Sequence, residues 1–356
     1  TLTKPPQLPH PATARNGSEY REALRLGSDL WLTAPVTKLT CFSDEQFFQK
    51  IRTWPNKICL YIHGYEKPFN RSLQDAAMLF ADYQHFENTE ENRLLPIVFA
   101  WPSAEAKTKY SVDEANIEWS QPAFESFMNR LLKEKNTSAS IDIVTHSMGA
   151  RLALSYLTKD HADLAKPWLR NLYMCSADVD FHSTAALAKT LDEVVSNSIY
   201  VFVSDRDMPL VISQYLHGQP RLGRPIDPPR GNDEQARTKA NEVAGDFFKQ
   251  LGSDAADLIT GQGTTNTPEV LAWLKKNPNL DREFSERTRL LDVTNLVSAN
   301  MGHGLPWSVL AGMIANQAKF PQLRVFPVHK KPDRTSLMES YGSPRVLYRF
   351  TRLEPN

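Results

Sequence analysis

The chain is 356 residues long and 41% apolar, enough to enclose a core in one large α/β domain or two ordinary ones. Its 41 lysines and arginines balance its 41 aspartates and glutamates. No block of like charge stands out, which argues against a nucleic-acid-binding arm or a polybasic membrane anchor. No run approaches the ~18 consecutive apolar residues that would span a bilayer. The three cysteines, two of them inside apolar runs, point to buried free thiols rather than a disulfide framework.

In chain order, residues 1–43 form an N-terminal arm. Its opening, TLTKPPQLPHPATARNGS, reads as a flexible lead after a removed targeting segment or a truncation, and so leaves a cytoplasmic or an exported soluble protein equally open. Ser43 followed three residues later by Gln46 is a capping box that opens a helix over 44–54. Six apolar runs follow: KICLYI (57–62), LPIVFAW (95–101), IDIVT (141–145), NLYMCSA (171–177), SIYVFVS (198–204) and RLLDVTNLV (289–297). Between and after them, helical patterns cover 70–85, 112–134, 148–158, 182–194, 208–217 and 306–317. Most runs are apolar without strict alternation, as strands covered on both faces are. Strands alternating with helices predict an α/β fold, a mainly parallel, doubly wound sheet flanked by helices.

Residues 225–288 break the rhythm, because they separate the last two runs by far more than a usual loop. They hold helix-like pieces, NEVAGDFFKQLGSDAADLI and TPEVLAWLKKN. The expectation is a helical cap inserted before the last strand of a domain over 44–318, with a peripheral helical pair as the alternative. Residues 319–356 form a C-terminal extension.

Ligands of such sheets bind beyond the carboxyl ends of the strands, so the residues that follow each run carry the functional information. These are His63-Gly64-Tyr65, Trp101-Pro102-Ser103, His146-Ser147-Met148-Gly149, the pair Asp178 and Asp180, the pair Asp205 and Asp207, and NMGHGLPW with His303. A serine hydroxyl attacks only when a base takes its proton, and a strand-turn-helix elbow with small flanking residues exposes it. Gly149 fits that elbow. Thr145, two residues before the serine, does not, since a β-branched residue leaves less room at the turn. Ser147 is therefore either a nucleophile or a helix cap.

His303 lies between glycines ahead of Pro306 and is the candidate base; a loop histidine bonded to backbone is the alternative. Asp207, in SDRDMPL, is the candidate acid that would orient it, and Asp180, in SADVDF, is the alternative acid. Asp178 and Asp205 suit helix caps or partners of arginines such as Arg206. Gly64 lets the backbone turn so that the N–H of Tyr65 or Glu66 joins that of Met148 as an oxyanion hole. His63 reads as structural and His146 as a wall residue. Neither H-E-x-x-H nor a paired C-x-x-C supplies a metal site, and no glycine-rich phosphate loop follows a strand, so the machinery calls for no metal and no cofactor.

Together CLYIHGYEKPFNRSLQDAAML, PIVFAWPS, IDIVTHSMGARLAL, MCSADVDF, VSDRDMPLVISQYLHGQPRLG and NMGHGLPW resemble a bacterial α/β-hydrolase family of unknown function that is related to esterases and lipases. The resemblance implies the α/β-hydrolase fold, with Ser147 as nucleophile, Asp207 as acid and His303 as base, in the family's chain order of serine, acid, histidine. It does not extend over 225–288 or the C-terminal extension.

The function expected is a serine hydrolase that cleaves small-molecule carboxylic esters through an acyl-enzyme. Leu258, Ile259, Trp273 and Trp307 are candidates to line an apolar acyl pocket, with core packing as their alternative. An amidase, thioesterase or peptidase could use the same triad. A non-catalytic scaffold of the same fold, suggested by Thr145 and the insertion, is the alternative from another class. Acyl length and oligomeric state are not encoded in these motifs.

Overall fold

A computed structural model of the chain describes residues 40–86, 89–104, 109–160, 166–204, 207–224, 287–293, 303–304, 307–315, 323–327 and 347–352. Nearly all of the N-terminal arm, all of the expected cap but its last residues, and the acyl-pocket candidates Leu258, Ile259 and Trp273 lie outside the described residues, as do Asp205 and Arg206.

The elements are α1 (Asp44–Thr53), β1 (Lys57–Ile62), α2 (Phe69–Phe86), β2 (Leu94–Phe99), α3 (Tyr110–Trp119), α4 (Gln121–Glu134), β3 (Ile141–His146), α5 (Gly149–Leu157), β4 (Leu169–Cys175), α6 (Phe181–Ala186), α7 (Ala188–Val194), β5 (Val195–Val203), α8 (Met208–His217), β6 (Thr288–Asp292), α9 (Trp307–Ala315), β7 (Leu323–Pro327) and β8 (Leu347–Arg352). They build an eight-stranded sheet in the order β2-β1-β3-β4-β5-β6-β8-β7. Pairing is parallel from β2 through β6 and on to β8. Only β7 runs antiparallel, against β8. These last two strands belong to the C-terminal extension and continue the same sheet.

Successive strand residues point to opposite faces, and the chain uses both faces for core. Ile58, Leu60 and Ile62 of β1, with Ile143, Leu172, Met174, Ile199 and Val201, pack on one side against Phe48 of α1, Ile117 of α3, Phe124 and Met128 of α4 and Leu152 of α5. Cys59 and Tyr61 of β1, with Val144, Tyr173, Cys175, Tyr200 and Phe202, face the other side and meet Ala76 and Leu79 of α2 and Leu310 and Ile314 of α9. Burying each Leu or Ile contributes about 1.5–3 kcal/mol, so neither face could be left open. The runs therefore lack polar alternation.

Local signals set several boundaries. The Ser43 box closes both ways: Gln46 N–H donates to Ser43 Oγ at 3.3 Å and Ser43 N–H to Gln46 Oε1 at 2.9 Å. The pattern over 112–134 is two helices rather than one, because Pro122 sits in the first turn of α4, where its missing N–H is tolerated and a continuing helix is not. The pattern over 182–194 also divides, at Leu187. Its N–H donates back to Thr184 O, and the Thr184 hydroxyl bonds the Asp180 carbonyl at 2.7 Å, which tightens and ends the first turn.

Candidate active site

The carboxyl ends of β1 to β6 gather the residues singled out by the sequence. Ser147 follows β3 and has φ 51, left-handed backbone that a residue with a Cβ adopts only under constraint, at a cost of order 1–3 kcal/mol. The turn is pinned to the end of β4: Ser147 N–H donates to Cys175 O at 3.0 Å, and Ser147 O accepts from Asp178 N–H at 3.1 Å. Met148 is the N-cap of α5, and no side chain caps that helix. The N-cap position of α5 is thus Met148, not Ser147.

Room at the elbow comes from two glycines. A Cβ on Gly149 would lie 2.5 Å from Ile62 O and 2.6 Å from His63 O, and one on Gly64 would lie 2.7 Å from the Ser147 Cβ. Thr145 is no obstacle. It lies buried inside β3, its hydroxyl toward Tyr173 O at 3.4 Å, and the neighbouring strand's Gly64 supplies the space that a glycine at 145 was expected to supply.

Asp207 caps α8, accepting Leu210 N–H at 3.0 Å, with Pro209 in the first turn and Gly218 ending the helix at φ 66. The same carboxylate faces His303, whose Nδ1 lies 2.8 and 2.9 Å from its two oxygens. A carboxylate oxygen can only accept, so Nδ1 carries the hydrogen, and in the neutral ring Nε2 is then the nitrogen with the lone pair. Asp180, the alternative acid, is not the partner of His303. It caps α6 by accepting Ser183 N–H at 2.6 Å, and its backbone bridges Arg221, so its carboxylate serves a helix end.

The His303 ring lies against that of His146, the residue before Ser147, with centroids 4.8 Å apart. Among the described residues no hydrogen bond joins the Ser147 hydroxyl to the imidazole; such bonds are often long before substrate binds. His146 is buried, and burial first, then the nearby His303 and Lys67, hold its pKa well below the ordinary value, so it is a neutral wall of the site.

The proposed oxyanion donors also fall at this edge. The Met148 N–H meets no acceptor among the described residues. Of the two donors considered after Gly64, Glu66 is committed, since its N–H donates to Asp113 Oδ2 at 3.2 Å. That leaves Tyr65. His63 ties this loop to the one after β2: its ring nitrogens lie 2.9 Å from Gly64 O and 3.1 Å from Trp101 O, its ring stacks on Trp101, and Trp101 Nε1 donates to His63 O at 2.8 Å.

Two things escaped the sequence. One is Asp113 itself, a carboxylate on the same helix face as Ile117, where an acid in an apolar stripe was the available signal. The other is the buried cluster around Asp178. It is ion-paired with Arg151 and Arg221 and takes hydrogen bonds from Tyr110 and Ser213. Its arginines are distant in sequence and are not the Arg206 considered earlier. Burial alone would raise the Asp178 pKa and is the largest influence, but Arg151, Arg221 and the two hydroxyls outweigh it and hold it below 3.8.

A depressed folded-state pKa stabilises the protein above the ordinary carboxylate range, and that contribution is lost as pH falls through the folded value. Asp178→Asn is therefore expected to cost about 3–5 kcal/mol at neutral pH, by leaving the buried Arg221 guanidinium without its carboxylate and the half-buried Arg151 with Glu114 alone. The gap to the parent chain should close only as pH falls through the depressed folded-state value of Asp178, as urea unfolding across a pH series would show. A gap that persists at acid pH would contradict the ion-pair account.

A parallel sheet with a strained strand-to-helix turn at the carboxyl end of a central strand is the architecture of the α/β-hydrolase class. The chain belongs to the family described as Alpha/beta hydrolase of unknown function (DUF900), matched over residues 42–276. The match takes in Ser147 and Asp207 and ends before His303. No curated protein and no solved structure matches the chain.

Proposed function

We propose that the protein is a serine hydrolase that cleaves carboxylic esters without a cofactor. The observation that carries this is the Asp207–His303 pair, joined through Nδ1 at the same sheet edge as the strained Ser147. His303 takes the Ser147 proton as the hydroxyl attacks the ester carbonyl, and Asp207 holds the imidazole in its tautomer and stabilises the imidazolium. The N–H groups of Met148 and Tyr65 receive the developing oxyanion. His303 then returns the proton to the leaving alcohol, and the acyl-enzyme is hydrolysed by water that the same histidine activates. An apolar acyl part is the expected substrate feature.

A fluorophosphonate probe should label the purified chain at Ser147, by mass spectrometry of the modified peptide, and p-nitrophenyl esters of graded length should be hydrolysed with a clear length optimum. A chain that takes no label and turns over no ester would be a binding scaffold on a hydrolase fold. Labelling without ester turnover would direct the search to amides, thioesters and peptides.

A further inference from the structure

Asp113 lies wholly buried in the first turns of α3, and both of its oxygens are occupied by other parts of the chain. Oδ2 accepts the Glu66 N–H at 3.2 Å and the Ser103 hydroxyl at 2.6 Å, and Oδ1 accepts the Ala104 N–H. Ser103 in turn accepts the Lys67 N–H at 3.1 Å. One carboxylate thus gathers the loop after β1 and the loop after β2 onto the start of the helix that follows β2.

Its placement in the first loop matters. Glu66 has φ 56, a conformation that a side-chain-bearing residue holds only when its surroundings fix it, and the N–H that Asp113 grips belongs to that residue. Tyr65, the proposed oxyanion donor, stands immediately before this reversal and immediately after Gly64, where an added Cβ would lie 2.7 Å from the Ser147 Cβ. The carboxylate is too deep to reach substrate, and it donates nothing.

The geometry points to Asp113 as a positioning residue. By clamping Glu66 and, through Ser103, Lys67, it sets the direction of the Tyr65 N–H and so the fit of the oxyanion hole to the transition state. This rests on the serine-hydrolase reading of Ser147. The WPS stretch then has a task as well: its serine passes the clamp from α3 to the first loop.

The experiment compares the full chain with Asp113→Asn, Asp113→Ala and Ser103→Ala. Each is measured for kcat and KM on a short p-nitrophenyl ester, for affinity toward a trifluoromethyl ketone whose serine adduct carries an oxyanion, and for thermal stability. A hole misaimed by about 1 Å should cost on the order of 10²-fold in kcat with KM nearly unchanged. Asp113→Ala should therefore fall by about that factor and Asp113→Asn by less, because the amide oxygen can still accept from Glu66 and Ser103. Ketone affinity should fall in step with kcat/KM.

Ser103→Ala loses one link and should fall about tenfold, following the same split. If the Asp113 variants do not fold, Ser103→Ala decides the matter alone. A folded Ser103→Ala or Asp113→Asn with parental kcat and ketone affinity overturns the proposal, as does a loss confined to KM. The parent chain is scored first: if fluorophosphonate does not label Ser147 there, the hydrolase reading itself has failed and takes this one with it, whereas normal labelling with unaffected variants rejects only the role of Asp113.

Discussion

Ser147→Ala is expected to lower kcat for any ester the protein cleaves by about 10⁵-fold, with the melting temperature unchanged or raised. Members of a proton-relaying set act as a unit, so His303→Ala should cost nearly as much and the double variant little more than either single one. Stability should not suffer. The left-handed backbone at residue 147 and the absence of any bond from its hydroxyl to α5 mean that the serine contributes little to the folded state. The measurement is burst and steady-state hydrolysis of a p-nitrophenyl ester beside calorimetry of the same samples. Losses that multiply in the double variant, or a Ser147→Ala protein with more than a tenth of parental turnover, would rule out the relay.

The second large effect concerns Gly149. A methyl group there would meet backbone, not a side chain that can swing away: Ile62 O at 2.5 Å and His63 O at 2.6 Å. Gly149→Ala must push α5 away from the end of β1, and overpacking at such a site costs about 3 kcal/mol. It also displaces the turn that holds Ser147, so turnover should fall by roughly 10²-fold in the fraction that stays folded. Urea unfolding combined with activity per folded molecule separates the two. A Gly149→Ala protein within 0.5 kcal/mol of its parent, a surface-like value, would mean that the helix and strand are not in the contact described.

Much of the fold was legible because its signals are local. β1 was read at its bounds from the apolar run KICLYI, and α8 at its bounds from the helical pattern over 208–217. The single helix drawn over 112–134 was wrong because an apolar stripe says nothing about where the backbone is interrupted; Pro122 was in view, but as a first-turn residue of a second helix. In the site, the meeting of Asp207 and His303 could be anticipated because sheet topology places both at one edge.

What decides between them and Asp180 could not be anticipated in the same way, since it depends on which helix each acid caps. The role of Asp113 was out of reach for a related reason, although an acid in an apolar stripe marked the residue itself. Its partners Glu66, Ser103 and Ala104 lie on two other loops, and no pattern along α3 encodes them. Thr145 misled in the opposite direction, because the room it denied within its own strand is supplied by Gly64 across the sheet.

The direct pairing of β5 with β6, with Val203 opposite Asp292, brings together residues of the acid and imidazole loops that are 96 positions apart in the chain. The rungs of that ladder register the two loops across the sheet, so their meeting depends on backbone pairing and not on nearness along the chain.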